Sequence, residues 1–307
     1  MSKTGSEPAA SGKPHGGIAY APLIVAGLVI VLWGATPVVT KLATNGIDGL
    51  TVGVARTLLG GLVAAPLAIL MRLKLPRGRA QWMFFLGAAV PGYVVFPVLF
   101  SIAQRETSAQ HSSLLLALLP LFTGLIATGL ERRLPRGRWF IGAAIAIVGE
   151  CLLVFSRGSM ETGGATLLGD ALVLIAGITA TIGYVSGARL SQLGYSVWGT
   201  TFWGVALAAF ILLPAAPFVG FDVALETGGL ISWSAVLFLA YITTIVGYAG
   251  WYWALGQGGI ARVALLQFFQ PISGLILAVF LLGEPLTLSL LLAAAMVLLG
   301  VWIAAKR

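Results

Sequence analysis

The stretch GYAGWYWALGQGGIARVALLQFFQPISGLILAVFLLGEPL, Gly247 to Leu286, decides the fold. Two apolar segments flank a short glycine hinge, Gly256-Gln257-Gly258-Gly259. Tyr248, Trp251, Tyr252 and Trp253 crowd the end of the first segment. Gln267, Gln270 and Pro271 interrupt the second, and Gly283-Glu284-Pro285 closes it. A stretch of the same kind, FPVLFSIAQRETSAQHSSLLLALLPLFTGLIATGLERRL, runs from Phe96 to Leu134. Pro120 precedes Pro271 by 151 residues and Gly149 precedes Gly300 by 151, while Glu131 precedes Glu284 by 153, so the two halves align with small gaps. The chain reads as one half repeated.

Of its 307 residues, 59% are hydrophobic and 9% charged. A soluble domain carries roughly 25% charge, so this composition, with 40 glycines, is that of a polytopic membrane protein. The net charge of +8 does not imply nucleic acid, because the basic residues fall in short loops, where they set membrane orientation. One cysteine, Cys151, rules out an intramolecular disulfide framework. Residues 1–17 are rich in Ser, Gly, Pro and Lys and are expected to be a disordered cytoplasmic tail.

A spanning helix needs about 20 mainly apolar residues. That rule places ten segments at 20–43, 50–71, 80–104, 107–129, 137–156, 167–190, 196–217, 230–256, 260–281 and 287–305. In lipid every backbone N–H and C=O must be satisfied within its segment, so helices are expected. With the N-terminus in the cytoplasm, 14 of the 18 Lys and Arg residues lie on the inner side, and Arg105 and Arg157 on the outer. Lys41 and Arg56 fall within segments. The bias puts both termini inside. The first repeat takes 18–157 and the second 166–307, joined by the Gly/Ser-rich stretch Arg157–Thr166. Five helices per half invert the second half relative to the first, a transporter-like plan with a substrate site near the bilayer midplane.

Ionisable residues inside a membrane are costly, by at least about 2.5–3.5 kcal/mol each on insertion scales. Lys41 and Arg56 therefore have two readings: contact with helix-end carbonyls, or a fixed positive field for a substrate carboxylate. Glu150 either pairs with one of them or couples protons, since a carboxyl in apolar surroundings has a raised pKa. His111 and Arg262 open equivalent segments of the two repeats and could serve opposite entrances, with His111 a candidate substrate-binding residue that could meet a carboxylate; the bland readings are a capped polar turn and an ordinary inner-loop cation. Tyr241, Tyr248 and Tyr252 follow helical spacing with Ile245 and should share a face. Trp33, Tyr93, Tyr184, Tyr248, Trp251 and Tyr252 are candidate pocket lining, with Gln267 and Gln270 offering amide groups. Trp139, Trp198, Trp233 and Trp302 suit an interfacial belt. Pro37, Pro91, Pro97, Pro120 and Pro271 should disturb their helices. Gly183-xxx-Gly187 reads as a close-packing face. No P-loop, HExxH or Cys/His cluster occurs, and the GxGxxA match at Gly256–Ala261 follows no strand. No catalytic, cofactor or metal site is expected.

Trp33-Gly34-Ala35-Thr36-Pro37 with Lys41, Ala55-Arg56-Thr57-Leu58-Leu59-Gly60-Gly61, and Tyr248 to Leu255 followed by Pro271 and Leu282-Gly283-Glu284 together resemble the signatures of the drug/metabolite transporter superfamily, EamA type. The resemblance covers nearly the whole chain beyond the tail and is nearest to YddG-type exporters of aromatic amino acids. It departs at Phe96-Pro97-Val98-Leu99, where an aromatic-rich run is replaced. It implies an all-α, ten-helix secondary transporter of the inner membrane, with a central cavity lined by segments 1, 3, 4, 6, 8 and 9. Expected partners are amino acids and the lipid bilayer, not nucleic acid, with a monomer as the working unit. Rival readings are a nucleoside or nucleotide-sugar carrier, a passive channel and an intramembrane enzyme. The hinges Gly256–Gly259 and Arg105–Ser108 would let the hairpins of segments 8–9 and 3–4 rock in opposite senses. Asp48→Cys and Asp222→Cys should react with an impermeant maleimide from the outer side, and Arg136→Cys should not; the reverse pattern would overturn the orientation.

Overall fold

The computed structural model describes residues 20–131, 137–155, 166–258, 263 and 265–305. The expected tail, most of the join between halves, Arg262 and Gly259 lie outside the described residues, as does the side chain of Glu150. Within them the chain is an all-α, multi-pass integral membrane protein. Ten helical segments match the ten expected: α1 (Tyr20–Thr44), α2 (Gly49–Leu70), α3 (Gly78–Ala103), α4 (Ala109–Leu116 and Leu119–Glu131), α5 (Gly137–Phe155), α6 (Leu167–Gln192), α7 (Val197–Leu212), α8 (Gly229–Gly258), α9 (Leu265–Phe269 and Gln270–Leu282) and α10 (Leu288–Ala305), with Gly256, Gln257 and Gly258 of the expected hinge still helical. Six of them, α1, α2, α3, α6, α7 with its 3₁₀ continuation to Phe218, and α8, are long and apolar enough to cross a bilayer, and the other four are shorter among the described residues. Exposed apolar side chains such as Ile24, Leu62, Phe210, Phe280 and Leu291 cover the outside, where hydrocarbon is the solvent.

Five mid-segment prolines each open a new helical run, whereas Pro66 lies inside the unbroken α2. Pro37, Pro91, Pro97, Pro120 and Pro271 are all the second residue of a new run. A proline lacks the N–H that would reach back to residue i−4, and it is tolerated in the first turn of a helix, where that donor is unsatisfied anyway. Thus α1 breaks at Ala35, α4 at Ala117–Leu118, and α9 begins as a 3₁₀ turn. α3 passes through a π-helical stretch at Val90–Val95. Its repeat counterpart α8 does the same at Phe238–Val246, without a proline.

The packing follows a pseudo-two-fold exchange of the two halves. α2 packs on α7 and α5 on α10, each pair made of a helix and its own counterpart. α1 packs on α8 as α6 packs on α3, and α1 on α9 as α6 on α4. Where these helices cross, small residues let backbones approach. A Cβ built on Gly300 would lie 2.5 Å from the Ala146 nitrogen and 2.5 Å from the Gly142 oxygen. At the centre, Gly34 faces the Gln270 carbonyl and Ser273, and Gly274 faces Ser113, so α1, α4 and α9 meet on two glycines.

Gly300→Ala must push α5 and α10 apart, and overpacking of this kind costs typically about 1–3 kcal/mol. It should lower the melting temperature in detergent. Gly27→Ala, which has open space around the new methyl, should not. Equal melting temperatures would refute the packing described for α5 and α10.

Candidate functional site

The site is built on the π-helical stretch of α8. Thr243 and Thr244 are adjacent there, and both hydroxyls donate to the same carbonyl, Leu239 O, at 2.8 Å. Having spent their protons, the two oxygens can only accept from elsewhere. Arg56 of α2 supplies the donors: its Nη2 lies 3.3 Å from Thr243 Oγ1 and 3.3 Å from Thr244 Oγ1. Arg56 is 3% exposed. Its Nε and Nη1 have no hydrogen-bond partner among the described residues, and no described carboxylate forms an ion pair with it. A guanidinium carries five N–H donors, so one on Nε and two on Nη1 remain unused.

Arg56 borders a small cavity of about 20 Å³. Trp33, Tyr184 and Tyr248 form its aromatic wall, Phe96 and Leu116 its apolar side, and Thr36, Thr243 and Gln270 its remaining polar lining. The volume suits about one water molecule. The ring of Trp33 is fixed at its edge, with Nε1 donating to Thr243 O at 2.9 Å. Trp33 stacks on Tyr184 at 5.7 Å between centroids and meets Tyr248 edge-on at 5.1 Å. Tyr93 meets Tyr248 edge-on at 4.8 Å, Trp251 lies 5.4 Å from Trp33, and Tyr252 lies 6.3 Å from Tyr248. All six expected aromatics therefore converge, though only Trp33, Tyr184 and Tyr248 border the cavity itself. Tyr241 is not among the ring contacts: the π-helical stretch intervenes and breaks the 3.6-residue spacing that would have put it on the face of Tyr248. Gly187 backs the cluster, because a Cβ there would fall on the Tyr252 ring, and Gly183 packs on Gly92.

Gln270 lines this cavity. With Gln267 it also lines a second, smaller one beside Leu116, Leu119 and Pro271. Lys41 stands apart from both. Its Nζ donates to Gln104 O at 2.8 Å and Thr107 O at 2.9 Å, across the end of α3 and the start of α4. His111 is also away from both cavities. Its Nδ1 lies 3.8 Å from Oδ2 of Asp170 on α6. Thr107 Oγ1 donates to Asp170 Oδ1 at 2.7 Å. Glu284 accepts from the Ala109 and Gln110 nitrogens, both at 3.0 Å, and so caps α4 from the other half of the chain. Asp170 was not among the sequence candidates. Its only signal there is an acid in the first turn of an apolar segment, which reads as an ordinary helix-start charge.

The chain matches the family model described as the EamA-like transporter family over residues 21–155 and again over 167–305. It is 33% identical over 267 residues to the "Uncharacterized transporter YdeK" of Bacillus subtilis (strain 168), covering 83% of this chain and 86% of that one. It is 30% identical over 290 residues to a "Probable amino-acid metabolite efflux pump" of Salmonella typhimurium, covering 90% and 92%. A solved crystal structure superposes with a TM-score of 0.64 at 18% identity, covering 94% of this chain and 99% of that one, which is a likeness of fold alone. Two matches to one family model, one in each half, agree with the internal repeat, and the chain belongs to the EamA-like transporter family.

Proposed function

We propose that this transporter exports amino acids, preferring aromatic and other large neutral ones, by alternating access through the cavity at Arg56. The observation that carries the reading is a buried guanidinium with three unused donors, set against a wall of aromatic rings. A carboxylate is the natural acceptor for such donors, and charge-assisted bonds of this type are the strong ones. Aromatic faces add roughly 0.5–1.5 kcal/mol per pair beyond area burial. A phosphate-bearing substrate would ask for several clustered cations, and Lys41 is engaged with helix-end carbonyls elsewhere. The names of the Salmonella relative and of a 27% identical Escherichia coli relative, both probable amino-acid metabolite efflux pumps, support the same substrate class. The working form is a monomer in the inner membrane, and the charge bias of the loops supports cytoplasmic placement of both termini.

Uptake of labelled amino acids into proteoliposomes tests the reading, with phenylalanine and tryptophan carried faster than threonine. Loss of a charge-assisted bond costs about 1.5–3 kcal/mol. Arg56→Gln should therefore weaken competition by phenylalanine roughly 10- to 100-fold. Competition by phenethylamine, which has no carboxylate, should change little. Equal effects on both would sink the carboxylate role. Tyr248→Ala should slow tryptophan more than threonine; equal losses would mean that the ring supports the fold and does not select the ligand.

A further inference from the structure

Two helices break beside the Arg56 cavity, and a proline follows each break. The first run of α1 ends at Gly34 and that of α4 at Leu116. The ring nitrogen of Pro37 cannot donate to the Trp33 carbonyl four residues back, nor that of Pro120 to the Leu116 carbonyl. Among the described residues none of the turn, loop or cap bonds of the backbone ends on either oxygen. Trp33 and Leu116 both line the cavity. The C-terminal end of a helix carries about half a negative charge, seated on such unpaired carbonyls. Two of these ends therefore meet at one small space, beside the Gln270 amide and the Thr36 hydroxyl. No aspartate or glutamate of the described residues lines it, so its acceptors are neutral oxygens.

From this geometry we infer that the carbonyls of Trp33 and Leu116 receive the ammonium group of the substrate while Arg56 receives its carboxylate, an inference that rests on the transport reading above. An ammonium has three donors and no acceptor, so it needs oxygens and not further N–H groups. The ends of broken helices bind cations in other transporter folds for the same reason. This chain already holds one ammonium in that way. The Nζ of Lys41 is bound by the carbonyls of Gln104 and Thr107 at 2.8 and 2.9 Å, at the end of α3 and just beyond it. At the cavity the three unused donors of Arg56 and the freed carbonyls offer opposite halves of one match. A ligand carrying both a carboxylate and an ammonium completes it. A carboxylate alone leaves the carbonyls unpaired, which costs free energy in a buried site. The substrate class is thus narrowed to amino acids whose amine is free and charged. Pro37→Ala and Pro120→Ala each return an N–H four residues beyond one of these carbonyls, and that N–H competes with the ligand for the oxygen.

The test uses the full chain in proteoliposomes and reads competition against counterflow of labelled phenylalanine. Phenylpropionate has the ring and carboxylate of phenylalanine but no amine. In the wild type it should compete roughly 10- to 100-fold less well, the loss expected for a charge-assisted bond. Pro37→Ala and Pro120→Ala should weaken phenylalanine towards the level of phenylpropionate and leave phenylpropionate itself unchanged. A wild type that takes both ligands equally overturns the assignment, as do folded variants that weaken both in equal measure or neither. Replacing sodium by N-methylglucamine separates the other cation. Counterflow that collapses without sodium, with phenylpropionate as good as phenylalanine, would place a metal ion at the carbonyls and overturn the ammonium role. Absence of phenylalanine counterflow in the wild type would instead refute the transport reading. Thermal melting of the detergent-solubilised wild type then decides the ammonium site alone. Phenylalanine should raise the melting temperature more than phenylpropionate at the same concentration, and equal shifts would overturn the inference. Because the wild-type measurements suffice by themselves, a variant that fails to fold does not shelter the idea.

Discussion

A full positive charge is held at Arg56 in a bundle built to exclude water, and the neighbouring structure is arranged around keeping it there. The charge is bound on one side only. Two threonine hydroxyls hold Nη2, and they are oriented because each has given its own proton to Leu239 O. An ordinary α-helix would not bring residues four and five positions ahead onto one carbonyl so readily; the π-helical stretch of α8 does. The same stretch anchors Trp33 through Thr243 O. Cation and aromatic wall are thus mounted on one short piece of helix, and their relative position does not depend on the flexible connections.

The fold is close to symmetric and the site is not. Asp48 caps α2 and Ser196 caps α7, and Arg56 stands eight residues beyond the first cap. Eight residues beyond the second is Gly204, and the ring of Tyr93 fills the space that a side chain there would take. One half therefore offers a cation where its counterpart offers room for an aromatic ring. A two-fold scaffold thus carries unlike groups at equivalent positions of its two halves.

The ten segments were legible because lipid leaves so few options: a run of about 20 apolar residues has to be a helix. The five prolines also told where helices would change, since the missing N–H is a local property of the residue. The aromatic group was legible by residue type but not by face. Tyr241, expected beside Tyr248, is set off by the π-helical stretch, and no simple period encodes such a stretch. Asp170 was illegible for another reason. Its meaning comes from Thr107, 63 positions away, and from His111, and an acid in a first turn looks ordinary until those side chains are beside it. Lys41 had two readings from its position in the chain, and only the fold reveals the carbonyls of Gln104 and Thr107 that it bridges.

The π-helical stretch of α8 also makes chain length matter as much as residue identity. A helix advances about 100° per residue, so one residue removed between Phe238 and Val246 with the π-helical winding otherwise kept would turn all that follows by close to that angle. Tyr248 and Trp251 would swing off the cavity without a single side chain having been altered, and Thr243 and Thr244 would no longer share one carbonyl. Substitutions scattered along α8 can be absorbed one at a time. A shift in its count cannot, so related chains that keep this site should keep the spacing from Leu239 to Tyr248 even where the residues between them differ.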